Sequence, residues 1–193
     1  MECIILAAGY SQRMGQWKPL LPYQNGCILD AAIQNARKYC HRILLVIGYR
    51  GDELIEKYQQ NKDILIIKNI HFEQGMFSSI QCAVPYIQGS HFFITLGDMP
   101  CIDPIVYKTL LTNSLSEMEI LFPGTLEHSG HPVLFPRSVI PYIINAPKQA
   151  KMKPLLNTQF PFRFLNVNPN LGILLDVDTI HDYNKLLTLK NHS

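Results

Sequence analysis

The sequence predicts an α/β fold, a single domain with a mostly parallel sheet flanked by helices. Two apolar runs without polar alternation, Cys3 to Ala8 and Arg42 to Gly48, are typical of strands covered on both faces. Segments with helical spacing separate these and later apolar runs, so the chain begins in the order βαβαβαβα. This order favours parallel strands joined by right-handed crossovers. We therefore expect a Rossmann-like core with a small C-terminal extension of hairpin and mixed strands.

The first part of the chain supplies the parallel core. Its predicted strands are Cys3 to Ala8, Arg42 to Gly48, Ile64 to Ile67 and His91 to Leu96. Its predicted helices cover residues 28–39, the segment around Leu54 to Tyr58, residues 75–86, and a segment opened by Pro104, which suits a first helical turn. Ser78 and Ser79 lie near the start of the third helix, where hydroxyls can cap N–H groups.

The second part is less regular. Glu119 to Pro123 and Pro132 to Phe135 predict two strands with a hairpin around Gly130, followed by broken helix over residues 137–160. Two later strands are predicted at Arg163 to Val167 and Ile173 to Val177, and a last helix at residues 179–189. The extension is therefore expected to end on a helix.

Composition excludes several classes of protein. The 193 residues, 47% of them hydrophobic, suffice for one domain with a sizeable core. A net charge of +2 without blocks of like charge does not indicate nucleic-acid binding. Apolar runs are far shorter than the ~20 residues that span a bilayer, and no secretory signal precedes the first strand. The five cysteines have no C-x-x-C spacing, which favours buried thiols. We expect a soluble cytoplasmic protein.

The first strand runs directly into a basic loop that contains Gly9, Ser11, Arg13, Gly15 and Lys18. Glycines let a backbone turn sharply and approach a ligand. In open α/β sheets, such loops hold phosphates at the carboxyl ends of the strands. The alternative is an ordinary strand-to-helix loop with two solvated cations. The loop has neither G-x-G-x-x-G nor G-K-[ST], so dinucleotide and Walker sites fit poorly.

Asp98 follows another buried strand, between Gly97 and Pro100. A carboxylate at this edge of the sheet can bind Mg²⁺, which prefers oxygen ligands and bridges substrate phosphates. The alternative is a turn aspartate that caps the next helix.

The loop from Leu6 to Lys18, L-A-A-G-Y-S-Q-R-M-G-Q-W-K, resembles the nucleotide loop of MobA-like nucleotidyltransferases. It is most similar to the molybdenum cofactor cytidylyltransferase (MocA-like) branch. Four further segments resemble motifs of that branch in the same order. They are residues 69–80 (N-x₅-G-M-x-x-S), 97–100 (G-D-M-P), 130–135 (G-H-P-V-L-F) and 176–183 (D-V-D-T-x-x-D-Y). Trp17 before the lysine, and A-A-G rather than A-G-G, disfavour neighbouring branches.

The resemblance implies a nucleotide-diphospho-sugar transferase-like fold and a Mg²⁺-dependent reaction. A nucleotidyl group would pass from CTP to a phosphate of molybdopterin or its molybdenum form, releasing pyrophosphate, for use by a molybdenum hydroxylase. Arg13 and Lys18 would neutralise the triphosphate and Asp98 would bind the metal. The remaining implied nucleotide-binding residues are Leu6, Ala7, Ala8, Gly9, Ser11, Gly75 and Ser79.

Two further residues have open alternatives. His131 would line the acceptor side, or serve only the structure of the hairpin. Asp178 would approach the metal from across the cleft, because alternation places it on one strand face with Asp176. Alternatively, Asp178 or Thr179 caps the last helix.

Residues 145–153 depart from the branch, which usually carries an element like G-D-x-G-A-R there. Lys148, Lys151 and Lys153 fall close together there, and they would attract the acceptor phosphate. If residues 148–157 are helical, Lys148 and Lys151 would share a face, with Lys153 off to one side. The alternative is a solvated basic face. Because of this departure, an alternative function is that of a catalytically idle accessory protein, which binds nucleotide or cofactor and delivers it to a partner enzyme. We expect residues 1–115 to bind the nucleotide and residues 116–193 to form the acceptor side of the single domain 1–193.

Overall fold

The computed structural model describes residues 1–114, 116 and 118–189, which form a seven-stranded sheet with helices on both faces and a separate short hairpin. The strands are β1 (Glu2–Ala7), β2 (Pro22–Tyr23), β3 (Gly26–Cys27), β4 (Arg42–Ile47), β5 (Ile64–Lys68), β6 (His91–Leu96), β7 (Ile120–Pro123), β8 (Val133–Pro136) and β9 (Phe162–Leu165). The α-helices are α1 (Ile28–Arg37), α2 (Gly51–Tyr58), α3 (Met76–Ala83), α4 (Pro104–Thr112), α5 (Ile140–Asn145), α6 (Met152–Leu156) and α7 (Ile180–Leu189).

The sheet has the predicted mixed topology. Its strand order is β5–β4–β1–β6–β8–β7–β9, while β2 and β3 form the hairpin. Strands β5, β4, β1 and β6 are parallel, β8 is antiparallel to both β6 and β7, and β7 is parallel to β9. The α/β class, the parallel core and the mixed C-terminal extension are therefore confirmed.

Side chains of β1 alternate between two cores. Cys3, Ile5 and Ala7 pack with α1, α2 and α4 on one face, and Ile4 packs with α3, α5 and α6 on the other. Burial on both faces explains why this strand has no polar alternation. Because β5, β4, β1 and β6 are parallel, their carboxyl ends lie together at one edge of the sheet. Within the described residues, no helix is long and apolar enough to cross a membrane.

The expected strand at Ile173 to Val177 is wrong. This segment crosses the carboxyl edge of the sheet without pairing with any strand. Isolated backbone hydrogen bonds attach it to the neighbouring segments. The Ile173 carbonyl accepts from the His131 amide at 3.0 Å, and the Val177 amide donates to the Asp98 carbonyl at 3.0 Å. Its central leucines are 43% and 40% exposed, so the apolar run is not a buried strand.

The condition under which Lys148 and Lys151 would share a helical face is not met, because α6 begins only at Met152. Lys148 lies in a turn in which the Ala150 amide donates to the Pro147 carbonyl, and Lys151 precedes the helix. The two lysines therefore do not share a helical face.

Ser78 and Ser79 do not cap α3 as expected. The Ser78 hydroxyl donates to the Gly75 carbonyl at 2.8 Å, and no side chain caps the N-terminus of this helix. The Asn69 amide group donates to both serine hydroxyls, at 2.9 and 3.0 Å. These hydroxyls therefore tie α3 to the end of β5.

Candidate active site

Three segments distant in sequence meet at the carboxyl edge of the sheet. The loop after β1 supplies Arg13 and Lys18, the turn after β6 supplies Asp98, and the crossing segment before α7 supplies Asp178. The bond from the Val177 amide to the Asp98 carbonyl fixes the two acidic segments beside each other.

Lys18 is at the centre of this group. Its Nζ lies 2.6 Å from Oδ2 of Asp98 and 2.9 Å from Oδ1 of Asp178, and its side chain is only 11% exposed. The second oxygen of Asp178 accepts from Arg13, whose Nη2 is 2.6 Å away. Two cations and two carboxylates therefore form one connected ion-pair network.

Capping does not explain either carboxylate. The residue that caps α4 is Asp103, whose side chain accepts from the Ile105 amide at 2.8 Å. At α7, the Thr179 hydroxyl accepts from the Asp182 amide, and Asp182 accepts from the Thr179 amide. This reciprocal pair is a capping box, which leaves Asp178 to face the loop.

The network favours the charged forms of Lys18 and Asp178. Burial alone would lower the pKa of Lys18, but Asp98 and Asp178 outweigh it, and the pKa is raised. Burial would raise the pKa of Asp178, but hydrogen bonding and the charges of Lys18 and Arg13 hold it below its usual value. Nearby opposite charge favours the ionised form of each group.

The loop backbone is shaped by left-handed residues. Ser11 and Gly15 have φ of 57° and 66°, and the Ser11 hydroxyl accepts from the Lys18 amide at 3.2 Å. A Cβ at Gly9 or Gly75 would meet no atom within 4 Å, so both glycines face open space. The loop is thus closed on itself by Ser11 while one side of its backbone remains accessible.

Two adjoining cavities, which we call the loop cleft, lie against this surface. The larger has a volume of about 340 Å³ and the smaller about 110 Å³, and they share Leu6, Gly9 and Asp98. The larger is also lined by Ala8, Gly75 and Ser79, and the smaller by Ala7, Ser11 and Lys18. Arg13 lines a neighbouring cavity with Ser11, Lys18 and Asp178. The structure therefore brings all the predicted nucleotide-binding residues to one connected region.

A divalent cation fits the chemistry of this region. Among the described residues, no group of three or more His, Cys, Asp and Glu side chains forms a metal site by itself. Asp98 and Asp178 nevertheless approach a single ammonium from two sides, at 2.6 and 2.9 Å. Mg²⁺ is usually held by one or two carboxylates together with substrate phosphates. Two hard oxygen donors beside a phosphate-sized cleft match that pattern.

The acceptor side contains a separate cavity, of about 250 Å³, which we call the side cavity. His131 lines it, with Nδ1 3.3 Å from the Ile94 carbonyl, and burial lowers the pKa of this histidine. Lys148 and Lys151 are exposed and are not among its lining residues. Lys153, which the sequence analysis placed off to one side of the other two lysines, does line it, together with Phe122.

Sequence reasoning also missed an aromatic wall on the loop cleft. Tyr10 contacts Phe72, with ring centroids 5.1 Å apart, and its hydroxyl donates to Glu73 at 2.8 Å. All three residues line the larger cavity of the loop cleft. In the sequence, Tyr10 follows Gly9, and Phe72 and Glu73 shortly precede Gly75. This closeness to two predicted binding residues is the signal that could have identified them.

Comparison with known proteins gives similarities over nearly the whole chain. Residues 3–162 match the family model of the MobA-like NTP transferase domain. The chain is 38% identical to the molybdenum cofactor cytidylyltransferase of Escherichia coli (strain K12), covering 95% of this chain and 93% of that protein. It is 26% identical to the probable molybdenum cofactor guanylyltransferase of Carboxydothermus hydrogenoformans, covering 96% and 94%. The crystal structure of Rv0371c from Mycobacterium tuberculosis has a TM-score of 0.81 at 25% identity, covering 97% and 98%.

Proposed function

The chain belongs to the MobA-like NTP transferase family and is a nucleotidyltransferase, and on that premise we propose that it transfers CMP from CTP to molybdopterin or its molybdenum form. The choice of CTP rests on its greater similarity to the cytidylyltransferase, 38%, than to the guanylyltransferase, 26%. Pyrophosphate is the second product, because a phosphate oxygen of the acceptor attacks the α-phosphorus of the triphosphate.

The observation that carries the proposal is the contact of Lys18 with both Asp98 and Asp178. A basic loop alone would suit any anion. A basic loop that meets two carboxylates at the end of parallel strands suits a nucleoside triphosphate with its cation. Since phosphoryl transfer needs little covalent help, positioning and charge neutralisation account for most of the catalysis.

The residues divide the work as follows. The open backbone at Ala8 and Gly9 binds the nucleotide, with Gly75 and Ser79 across the cleft. Lys18, held protonated by its two carboxylate partners, and Arg13 neutralise the triphosphate. Their charge counts most as negative charge develops on the leaving pyrophosphate.

Asp98 and Asp178 are the residues that would hold Mg²⁺, which supplies charge neutralisation at the phosphate oxygens when bound. Each comes from a different part of the chain. Residues 1–115 form the nucleotide-binding part and supply Asp98. Residues 116–193 form the acceptor side and supply Asp178 and His131, and the product serves a molybdenum hydroxylase.

The test is pyrophosphate release from CTP, with and without molybdopterin, in the presence of Mg²⁺. We expect release only when both substrates are present, and its loss in Lys18→Ala. Lys108→Ala is the matched control, because Lys108 is an exposed lysine on α4. Binding of both substrates without pyrophosphate release would refute the enzyme and favour an accessory protein that delivers them to a partner.

A further inference from the structure

The side cavity has walls suited to a flat ring. It lies between α3, α6 and the β6–β8–β7–β9 part of the sheet, and its volume of about 250 Å³ is below the ~300–1,000 Å³ of pockets that enclose a drug-sized ligand. It can therefore take one ring system but not a whole dinucleotide. Its apolar walls include Ile80, Ile94, Phe122, Phe135, Leu156 and Phe162.

Few polar groups interrupt these walls, and two of them are complementary. Lys153 Nζ lies 5.2 Å from the centre of the Phe122 ring and donates to the Ser129 hydroxyl at 2.8 Å, so its charge is held at the mouth. The contact of His131 Nδ1 with the Ile94 carbonyl requires a proton on Nδ1, since a carbonyl only accepts. In the neutral ring, Nε2 is then an acceptor. The site offers one cationic donor and one neutral acceptor.

The side cavity adjoins the loop cleft. Leu6 and Met76 line both the side cavity and the larger part of the loop cleft, and Asp98 lies on the latter. A ligand whose ring occupies the side cavity can therefore extend a phosphate toward the ion-pair network.

We propose that the side cavity binds the fused nitrogen-heterocyclic ring of the acceptor, with Lys153 at a ring oxygen or nitrogen and His131 at a ring N–H. This inference rests on the proposed function, because it places the other end of the same acceptor. A pterin has the required shape, an apolar face and an edge of alternating donors and acceptors. The cytosine base is assigned elsewhere, because the predicted nucleotide-binding residues line the loop cleft.

The experiment titrates the whole protein with pterin, the parent ring, whose fluorescence reports binding, and separately with CTP. Lys153→Met keeps the apolar length of the side chain and removes its charge. We expect it to raise the pterin Kd by roughly 10-fold or more, the scale of a hydrogen bond to a charged group. The CTP Kd should stay within about twofold. Lys108→Met, on α4, is the matched control and should change neither.

A second variant does not depend on charge. Ser129 lies at the mouth of the cavity and is half-buried, so Ser129→Trp should block entry and abolish saturable pterin binding without loss of CTP binding. Thermal unfolding of each variant checks that the fold is retained. Intact CTP binding provides the same check at the neighbouring cleft.

Three results would overturn the inference. The first is absence of saturable pterin binding to the wild type. The second is an equal loss of pterin binding in Lys151→Met, which would indicate general positive charge rather than the cavity. The third is a parallel loss of CTP binding in Lys153→Met and Ser129→Trp, which would place the nucleotide base in the cavity.

The inference and the proposed function fail separately. Pterin binding that depends on Lys153, without pyrophosphate release in the complete reaction, supports the ring site and refutes the enzyme activity. Turnover that depends on Lys18 but has the same acceptor KM in Lys153→Met refutes the ring site and leaves the activity intact.

Discussion

Replacing Asp98 by asparagine should separate the structural contribution of this carboxylate from its catalytic one. The amide oxygen can still accept from Lys18, whose Nζ now lies 2.6 Å from Oδ2, and Lys18 keeps Asp178 at 2.9 Å. The ammonium is therefore not left without a charged partner, the case in which a broken buried pair costs most. We expect a loss of about 1 kcal/mol in the free energy of unfolding. For a domain of this size, that lowers Tm by ~2–4 °C.

The expected loss of turnover is much larger. Removing one main electrostatic stabiliser of a transition state lowers kcat by ~10²-fold or more. At 1.36 kcal/mol per tenfold change in rate, this corresponds to about 2.7 kcal/mol or more. The catalytic effect should therefore exceed the structural effect more than twofold in free energy.

The assay measures pyrophosphate release against Mg²⁺ concentration and Tm on the same preparations. Asp103→Asn is the matched control, because asparagine also caps helices well and Asp103 caps α4. It should leave both quantities unchanged. If Asp98→Asn turns over within about threefold of the wild type, Asp98 is a structural residue and the reasoning is refuted.

Further predictions concern the loop, the base, the pH dependence and the acceptor lysines. Lys18→Ala should raise the CTP Kd and lower kcat together, as rapid-quench kinetics and calorimetry can check; unchanged values would remove Lys18 from the site. Calorimetry should show that CTP binds at least ~10-fold more tightly than GTP. The reason is that each polar group left unpaired at the edge of the wrong base costs ~1–3 kcal/mol. A preference for GTP would overturn the choice of nucleotide. The pKa of Asp178 is lower in the folded state than in the unfolded state. Ionised Asp178 therefore stabilises the fold at pH values above its unfolded pKa of about 4, and this stabilisation is lost as the pH falls through the folded pKa. Denaturant midpoints of Asp178→Asn should therefore lie below the wild type at pH 7 and converge with it below pH ~4; a constant difference would contradict this. Replacing Lys148 and Lys151 with Gln should lower the affinity for the acceptor by at most ~30-fold at low salt, because exposed ion pairs contribute ~0.2–1 kcal/mol each. The affinity for CTP should not change. An equal loss of affinity for CTP would mark the two lysines as general surface charge.

The core and the loop were predictable because their signals are local. The uninterrupted apolar residues of β1 and the glycines and cations after it follow each other along the chain, so no long-range contact was needed to interpret them. Asp98 was equally accessible, since it directly follows a buried strand. Topology then brought these two segments to the same edge, as adjacent parallel strands require.

The crossing segment and the side cavity were not predictable in this way. Ile173 to Val177 is apolar enough for a strand, and only its position across the sheet edge leaves its central leucines exposed. Lys153 lies within a run of three lysines at similar spacing. Its selection over Lys148 depends on where α6 begins and on the packing of that helix beside Phe122, which no local pattern encodes.

The ion-pair network has a consequence for how the site meets its ligands. Arg13 and Lys18 carry two positive charges, Asp98 and Asp178 carry two negative ones, and the four groups together are neutral. An arriving triphosphate and its cation therefore do not meet a bare basic surface. Under the proposed function they would exchange partners with an existing set of ions: Arg13 and Lys18 would turn to the phosphates, and Asp98 and Asp178 would hold the cation. Such a double exchange would release fewer counterions than binding to an unpaired basic loop, so affinity for the metal–nucleotide pair should vary little with salt. Nucleotide without metal would instead separate the two carboxylates from their cations, and it should bind more weakly.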